Sequence, residues 1–345
     1  TTMWVEKGPG RLKACYWNTE KDLYPMRDWM ERQQSWIYLI FILAGLAVGL
    51  SQPDTTSWLE AILWPLLGGL LYATFTQVPL TRIGQGLKDW RFLAALLLGN
   101  FVVIPLVLGG MMTFIPLPPV VQAGVLLVLL VPCTDWCISF THLGKGDAGR
   151  AIAATPVLLL VQLLALPVYL WLFLGVEWFQ TVLSSHLLGA FAGLIITPLA
   201  LAWVTERLAE RHLNARRWVH GLGMLPVPLL ALVVFVIAAS QVTTVAGLSG
   251  VLLQVLLIFV VYLIFAAFLG KTLGRLFQLP TRSARTLTFS FGTRNSFVVL
   301  PIALTLPEAW QAAVVVIVFQ SLVELFGMVV YLRWMGKLIP ELSHT

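Results

Sequence analysis

The sequence predicts an all-α polytopic membrane protein with ten transmembrane helices arranged as two inverted five-helix repeats. Three observations lead to this fold class. The 345 residues are 59% hydrophobic and only 11% charged, whereas a soluble domain carries about 25% charged residues. Apolar runs of roughly 20 residues, the length that crosses a bilayer, recur along the chain. Two of these runs are interrupted by ionisable residues, about half a chain apart.

The apolar runs give the order of the elements. Residues 1–35 form a predicted cytoplasmic tail that contains Cys15 and is too charged to be a cleaved signal peptide. We expect residues 81–91 to form an interfacial amphipathic turn. The first repeat is predicted over 36–175 and the second over 176–345. The ten spans, some of them shortened by tilting or breakage, are 36–50, 58–78, 92–113, 119–141, 150–175, 183–205, 220–240, 248–277, 286–306 and 309–334.

The basic residues lie almost entirely on one side of these spans. Of the 22 Lys and Arg residues, all except Arg294 fall in the N-terminal tail, in alternate loops or near the C-terminal end. The positive-inside rule places that side, with both termini, in the cytoplasm of a protein of the plasma or inner membrane. The net charge of +6 therefore reflects membrane topology and gives no indication of nucleic-acid binding.

The fourth and ninth spans each contain a predicted helix break. In the fourth, the apolar run 120–130 leads directly into Pro132, Cys133, Thr134 and Asp135. Proline removes a helical hydrogen bond, and an ionisable group at membrane depth usually marks a functional site. In the ninth, the segment 291–296 reads Phe-Gly-Thr-Arg-Asn-Ser. A glycine and a charge among small polar residues predict a second break.

Further pairs of similar segments, again separated by about half the chain, support an internal repeat. Residues 76–78 resemble 240–242, which makes Gln77 and Gln241 equivalent, and 161–170 resembles 323–332, which makes Gln162 and Glu324 equivalent. An odd number of spans per half requires the two halves to insert in opposite directions. Inverted repeats with a broken helix in each half are typical of secondary transporters, whose substrate site lies where the broken helices meet near the bilayer midplane.

At that crossing we predict an ion pair between Asp135 and Arg294, because either charge alone is costly inside a membrane. The pair is either purely structural or rearranges during transport. Cys133 is a candidate ligand for a soft, thiophilic substrate. Cys137 shares its face if the helix resumes at once. Both cysteines are alternatively small apolar filler.

Glu324 is the candidate proton-coupling residue. It is an isolated carboxyl in the tenth span, and burial without a paired cation favours proton uptake. The equivalent Gln162 cannot titrate. Gln77 and Gln241, at the ends of spans, are secondary candidates for a polar cavity or are simply solvated. No cofactor and no resident metal ion are predicted.

At these residues the sequence resembles the Acr3-type arsenite permeases of the bile acid/arsenite/riboflavin transporter superfamily. The similar segments are 79–105 with Asn100 and Pro105, 131–147 with its Pro-Cys-Thr and Gly-Asp, 284–301, and 322–324 with its Val-Glu. The resemblance implies export of arsenite, or antimonite, in exchange for protons. Within that picture Cys133 contacts arsenic, Glu324 carries the proton, and the substrate-binding set is Cys133, Thr134, Arg294, Asn295 and Ser296. The chain departs from the family pattern at Asp135, at 293–295 and at Phe326.

Other functions remain open from the residues alone. The main alternative is a sodium-coupled symporter of an organic anion, of the bile-acid type, in which carbonyl groups freed at the breaks hold Na⁺ and Arg294 meets the anion. An intramembrane enzyme would need Cys133 as nucleophile and His142 as base, but a helical spacing of about two turns keeps them apart. A receptor or structural role does not call for charged breaks.

Overall fold

The computed structural model describes residues 17–51, 56–78, 89–182, 192–304 and 306–340. Within these ranges the chain is helical, with turns and one isolated backbone bridge but no β-strand. The predicted all-α class is therefore confirmed. Cys15 and most of the predicted interfacial segment 81–91 lie outside the described residues.

The structure describes helices along most of the chain. In chain order they are α1 (Trp17–Ser51), α2 (Thr56–Phe75), α3 (Trp90–Leu98), a π-helix (Gly99–Val103), α4 (Ile104–Phe114), α5 (Pro119–Leu129), α6 (Trp136–Leu143), α7 (Ala148–Val182), a second π-helix (Ala192–Ile196), α8 (Thr197–Arg211), α9 (Leu213–Leu222), α10 (Pro226–Ser240), α11 (Val242–Gly247), α12 (Ser249–Leu276), α13 (Thr281–Gly292), α14 (Ser296–Leu304), a 3₁₀ turn (Glu308–Trp310) and α15 (Ala312–Leu338). Helix α7 is interrupted at Gly175, where φ is +86°.

Several helices are long and apolar enough to cross a membrane. Five are full length, and shorter apolar helices include Ala61–Phe75, Pro119–Leu129 and Pro226–Ser240. All of them overlap predicted spans, although the first begins before residue 36 because the chain is already helical from Trp17. The ten-span inverted repeat stays a prediction. The five long spans are Trp29–Ser51, Trp90–Phe114, Ala148–Gly175, Gly250–Leu276 and Ala312–Leu338.

One group of helices packs closely at two glycine residues of α1, Gly45 and Gly49. Helix α10 packs between α1 and α2. A Cβ added at Gly45 would lie 2.3 Å from the carbonyl oxygen of Phe235, and one at Gly49 would lie 2.3 Å from that of Ala239. Small residues four apart let two membrane helices approach to backbone contact, since lipid offers no hydrophobic drive for their association. A second group consists of α5, α12, α13 and α15.

The two predicted breaks occur where the sequence placed them. Helix α5 ends at Leu129 and α6 begins at Trp136, so residues 130–135 are not helical. Helix α13 ends at Gly292 and α14 begins at Ser296. The two unwound segments contact each other, and an isolated antiparallel bridge pairs Pro132 with Arg294.

The third span has an interruption that the sequence analysis did not predict, the π-helix at Gly99–Val103. Pro105 lies just after it and has no N–H to donate to the carbonyl group of Phe101. The hydroxyl of Tyr169 donates to that carbonyl oxygen instead, at 2.5 Å. Such a bulge widens one helical turn, and this one carries Asn100 on its buried side.

Candidate functional site at the helix crossing

The two unwound segments are held together by their backbones. The N–H of Cys133 donates to the carbonyl oxygen of Thr293 at 3.1 Å, and the N–H of Asn295 donates to that of Val131 at 2.8 Å. Each break therefore satisfies backbone groups of the other. This is the arrangement that permits irregular backbone inside a membrane protein.

The side chain of Arg294 fills the space beside this bridge. It is 1% exposed, and within the described ranges its guanidinium group donates to neutral oxygens. The partners are Asn100 Oδ1 at 2.9 Å and the carbonyl oxygens of Leu129 at 3.3 Å, Ser290 at 3.2 Å and Phe291 at 2.7 Å.

Two side chains from neighbouring helices complete the environment of Arg294. The ring of Tyr262 lies 5.4 Å from the guanidinium carbon, a cation–π distance, and its hydroxyl donates to the carbonyl oxygen of Phe291 at 2.6 Å. Asn100 donates through Nδ2 to the carbonyl oxygen of Leu96 at 3.2 Å and to Ser290 Oγ at 3.3 Å. These contacts fix the amide with its oxygen toward the arginine.

Glu324, on α15, reaches the same crossing from the other side. The carboxyl group is fully buried, and its Oε2 accepts from the backbone N–H of Arg294 at 2.9 Å and from Gln320 Nε2 at 2.7 Å. Gln320 is in turn hydrogen-bonded to Ser296 at 3.1 Å. Glu324 Oε1 has no hydrogen-bond partner among the described residues. One oxygen is thus anchored to the break, and the other is available to a proton or a ligand.

The predicted substrate-binding residues of both breaks lie at this crossing. Cys133 and Thr134 are 1% and 2% exposed, and the Thr134 hydroxyl makes no hydrogen bond within the described part of the chain. Asn295 Oδ1 caps α14 by accepting from the N–H of Val298 at 3.3 Å. The crossing therefore combines a thiol, a hydroxyl and a carboxyl group in one buried region.

Cys137 lies on the half-helix α6, and its thiol also interacts with Ser290 and Thr293 at the second break. Since α6 begins only at Trp136, Cys133 belongs to the extended segment and does not share a helical face with Cys137. The Cys137 sulfur lies 3.9 Å from Thr141 Oγ1, inside α6. Cys137 is accordingly described best as a buried residue of the half-helix.

The predicted ion pair between Asp135 and Arg294 is not among the contacts that the structure describes for the guanidinium group, and it stays a prediction. The partners of the guanidinium are the oxygens given above. Asp135 stands at the start of α6 and lines a small cavity with Glu31, Tyr38 and Ser139. The carbonyl groups released by the breaks provide the arginine with acceptors at 2.7–3.3 Å.

The secondary candidates are placed apart from one another. Both polar atoms of the buried Gln162 lack a hydrogen-bond partner within the described ranges. Gln77 donates to Thr76 Oγ1 and to the carbonyl oxygen of Val219, both at 3.3 Å. Gln241 accepts from Thr244 at 2.9 Å at the end of α10. His142 is exposed on α6, which leaves it no role beside Cys133.

The structure adds residues that the site prediction missed. Asn100 is recognisable in the sequence as a lone amide in an apolar run, but nothing in the sequence indicates that it contacts Arg294. Ser290 and Gln320 are small or neutral polar residues near the named motifs. Tyr262 gave no signal, since aromatic residues are common in membrane helices.

Comparison with known proteins identifies the class of this chain. The model of the Sodium Bile acid symporter family matches residues 64–248. The chain belongs to the sodium bile acid symporter family. Proteins of this family are transporters, and the chain is accordingly a multi-pass membrane transporter. The match includes the first break and ends before the second.

A relative of the same kind is known in Bacillus subtilis (strain 168). It is the "Uncharacterized sodium-dependent transporter YocS", 24% identical over 269 residues that cover 74% of this chain and 78% of the relative. The family match places the chain among transporters and does not distinguish the arsenite permeases that the motifs resemble.

Proposed function

We propose that the chain exports arsenite, or antimonite, in exchange for protons, with Cys133 binding the substrate and Glu324 carrying the proton. One observation carries the proposal. The peptide group between Thr293 and Arg294 accepts the N–H of Cys133 on its oxygen and donates its own N–H to Glu324. The substrate ligand and the proton site are therefore connected through a single peptide.

The chemistry of Cys133 suits a reversible arsenic site. Arsenous acid is a soft, thiophilic species, and thiols select for such ligands. The thiol sulfur forms a bond to arsenic while one arsenic–hydroxyl bond breaks, and the thiol proton leaves with the hydroxide as water. Water reverses the step on release. A single thiol gives one such bond, which holds the substrate without trapping it.

Glu324 supplies the coupling in this proposal. A carboxylate accepts the Arg294 N–H strongly, and a protonated carboxyl accepts it weakly. A change of protonation therefore changes the hydrogen bonding of the peptide that also holds Cys133. In the inward-facing state the proton leaves to the cytoplasm and arsenite binds; in the outward-facing state the reverse occurs. Alternating access to one central site is sufficient for this exchange.

Transport into everted membrane vesicles tests the proposal. An acidic lumen should drive arsenite accumulation, and a protonophore should abolish it. Cys133→Ala should lose the accumulation, whereas Cys15→Ser, which removes a thiol from the N-terminal tail, should keep it. Full uptake by Cys133→Ala would remove the thiol from the mechanism.

A second candidate, sodium-coupled symport of an organic anion, is favoured by the family name and by the sodium-dependent relative. It predicts uptake of a bile acid that follows a Na⁺ gradient and is indifferent to a pH gradient. Right-side-out vesicles loaded in sodium-free buffer decide between the two candidates, because arsenite export and anion import respond to different gradients.

A further inference from the structure

The helix breaks release a defined set of carbonyl groups. In a continuous α-helix the N–H of each residue donates to the carbonyl oxygen four positions earlier. Those of Cys133, Arg294 and Asn295 donate instead to Thr293, Glu324 and Val131. The carbonyl groups that lose these donors belong to Leu129, Ser290 and Phe291.

The guanidinium group of Arg294 donates to all three of these carbonyl oxygens. The amide oxygen of Asn100, presented by the π-helix, is its fourth acceptor. The ring of Tyr262 faces the same cation. The hydrogen-bond acceptors described for the guanidinium group are thus all neutral oxygens, while the Glu324 carboxyl group bonds the backbone N–H of the same residue.

Neutral carbonyl and amide oxygens at unwound helices are the groups that hold coupling sodium ions in secondary transporters. Here a side chain supplies the cation. Arginine stays charged at any physiological pH, and its planar fork matches several acceptors at once. A free Na⁺ at this position would meet a like charge and oxygens that are already engaged.

We infer that Arg294 is a resident cation that takes the place of a coupling sodium ion, so that transport by this chain does not use Na⁺. The inference rests on the proposed function for the identity of the cargo, but the site itself is defined by the contacts above. It also distinguishes this chain from its sodium-dependent relative. Removing the guanidinium group should free the oxygen set and make it selective for Na⁺.

Thermal unfolding of the purified protein tests this directly, without any transported substrate. The wild-type protein should unfold at the same temperature in sodium, potassium and choline chloride of equal ionic strength. Arg294→Gln should unfold at a lower temperature but gain a Na⁺-specific rise in Tm of about 2–4 °C. Arg294→Lys, which keeps the charge, should show no such rise.

Three results overturn the inference. The first is Na⁺-specific stabilisation of the wild-type protein, which remains measurable even if Arg294→Gln does not fold. The second is a folded Arg294→Gln variant with no response to Na⁺. The third is a faster rate of wild-type arsenite uptake in sodium than in choline at the same pH gradient. If the protein does not transport arsenite but the unfolding temperatures respond to Na⁺ as expected, the proposed cargo is wrong and the inference about Arg294 stands.

Discussion

Cys133 and Glu324 are hydrogen-bonded to opposite sides of one peptide group, the group that joins Thr293 to Arg294. Cys133 lies in the extended segment of the first break and Glu324 on α15, and they meet because both broken helices open at the same place. A peptide group is rigid and planar, so a change of hydrogen bonding on one side is transmitted to the other. Under the proposed function, this relationship is a short physical route between proton binding at Glu324 and substrate binding at Cys133.

Replacing Glu324 by glutamine should separate transport from proton coupling. The glutamine oxygen can still accept the N–H of Arg294, so the crossing keeps its structure, but the side chain no longer titrates. We expect accumulation driven by an acidic lumen to be lost, because a side chain that cannot bind a proton cannot couple arsenite flux to the pH gradient. Arsenite counterflow between equal concentrations should remain. Measurement of both fluxes in the same vesicles checks this, and an unaltered pH response would refute the role of Glu324.

The substitutions Asp135→Ala and Arg294→Ala should act independently on stability. Loss of the guanidinium group leaves buried acceptors unpaired, which costs about 1–3 kcal/mol for each group. Asp135 instead lines the small cavity with Glu31 and Tyr38. The double-mutant cycle should therefore give a coupling energy within about 0.5 kcal/mol of zero. Unfolding in mild detergent provides the four free energies. A large favourable coupling energy would instead support the predicted ion pair between Asp135 and Arg294.

Gly45→Ala should destabilise the packing of α1 against α10. Its new Cβ would lie 2.3 Å from the carbonyl oxygen of Phe235, which is backbone and cannot move aside cheaply. We expect a loss of about 1–3 kcal/mol, as for overpacked cores. Gly68→Ala is the matched control, because nothing lies within 4 Å of its added Cβ. That variant should be neutral or slightly stabilising, and Tm measured by a fluorescent thiol-independent dye compares the pair.

Tyr169→Phe should weaken the π-helix of the third span. The substitution removes the only hydroxyl donor described for the carbonyl group of Phe101, which Pro105 leaves without its helical partner. The expected cost is about 1 kcal/mol, and the displacement of Asn100 should also loosen the acceptor set of Arg294. Hydrogen exchange around Gly99–Val103 is the direct measurement. Tyr72→Phe serves as a comparison, since its hydroxyl bonds to the side chain of Thr205 and to no orphaned carbonyl group.

The contents of the site could be predicted largely from the sequence. Pro132 and the Gly292–Arg294 segment locate the breaks because each interrupts an apolar run, and hydropathy is a local property. Glu324 is a candidate for the same reason, since a charged group at membrane depth is costly, and Cys133 is a candidate because it follows Pro132 at the break. The all-helical class follows from the same composition.

What the sequence by itself determined is therefore which residues interrupt the membrane helices, and the tertiary structure decided what those residues contact. From the sequence, Asp135 is the predicted partner of Arg294, because complementary charges can be recognised in a sequence and backbone acceptors cannot. Its actual partners are carbonyl groups of Leu129, Ser290 and Phe291, which have no sequence signature and become acceptors only when their N–H donors cross to the other helix. Backbone groups are common to every residue, so their hydrogen bonding depends on the three-dimensional register of the two breaks.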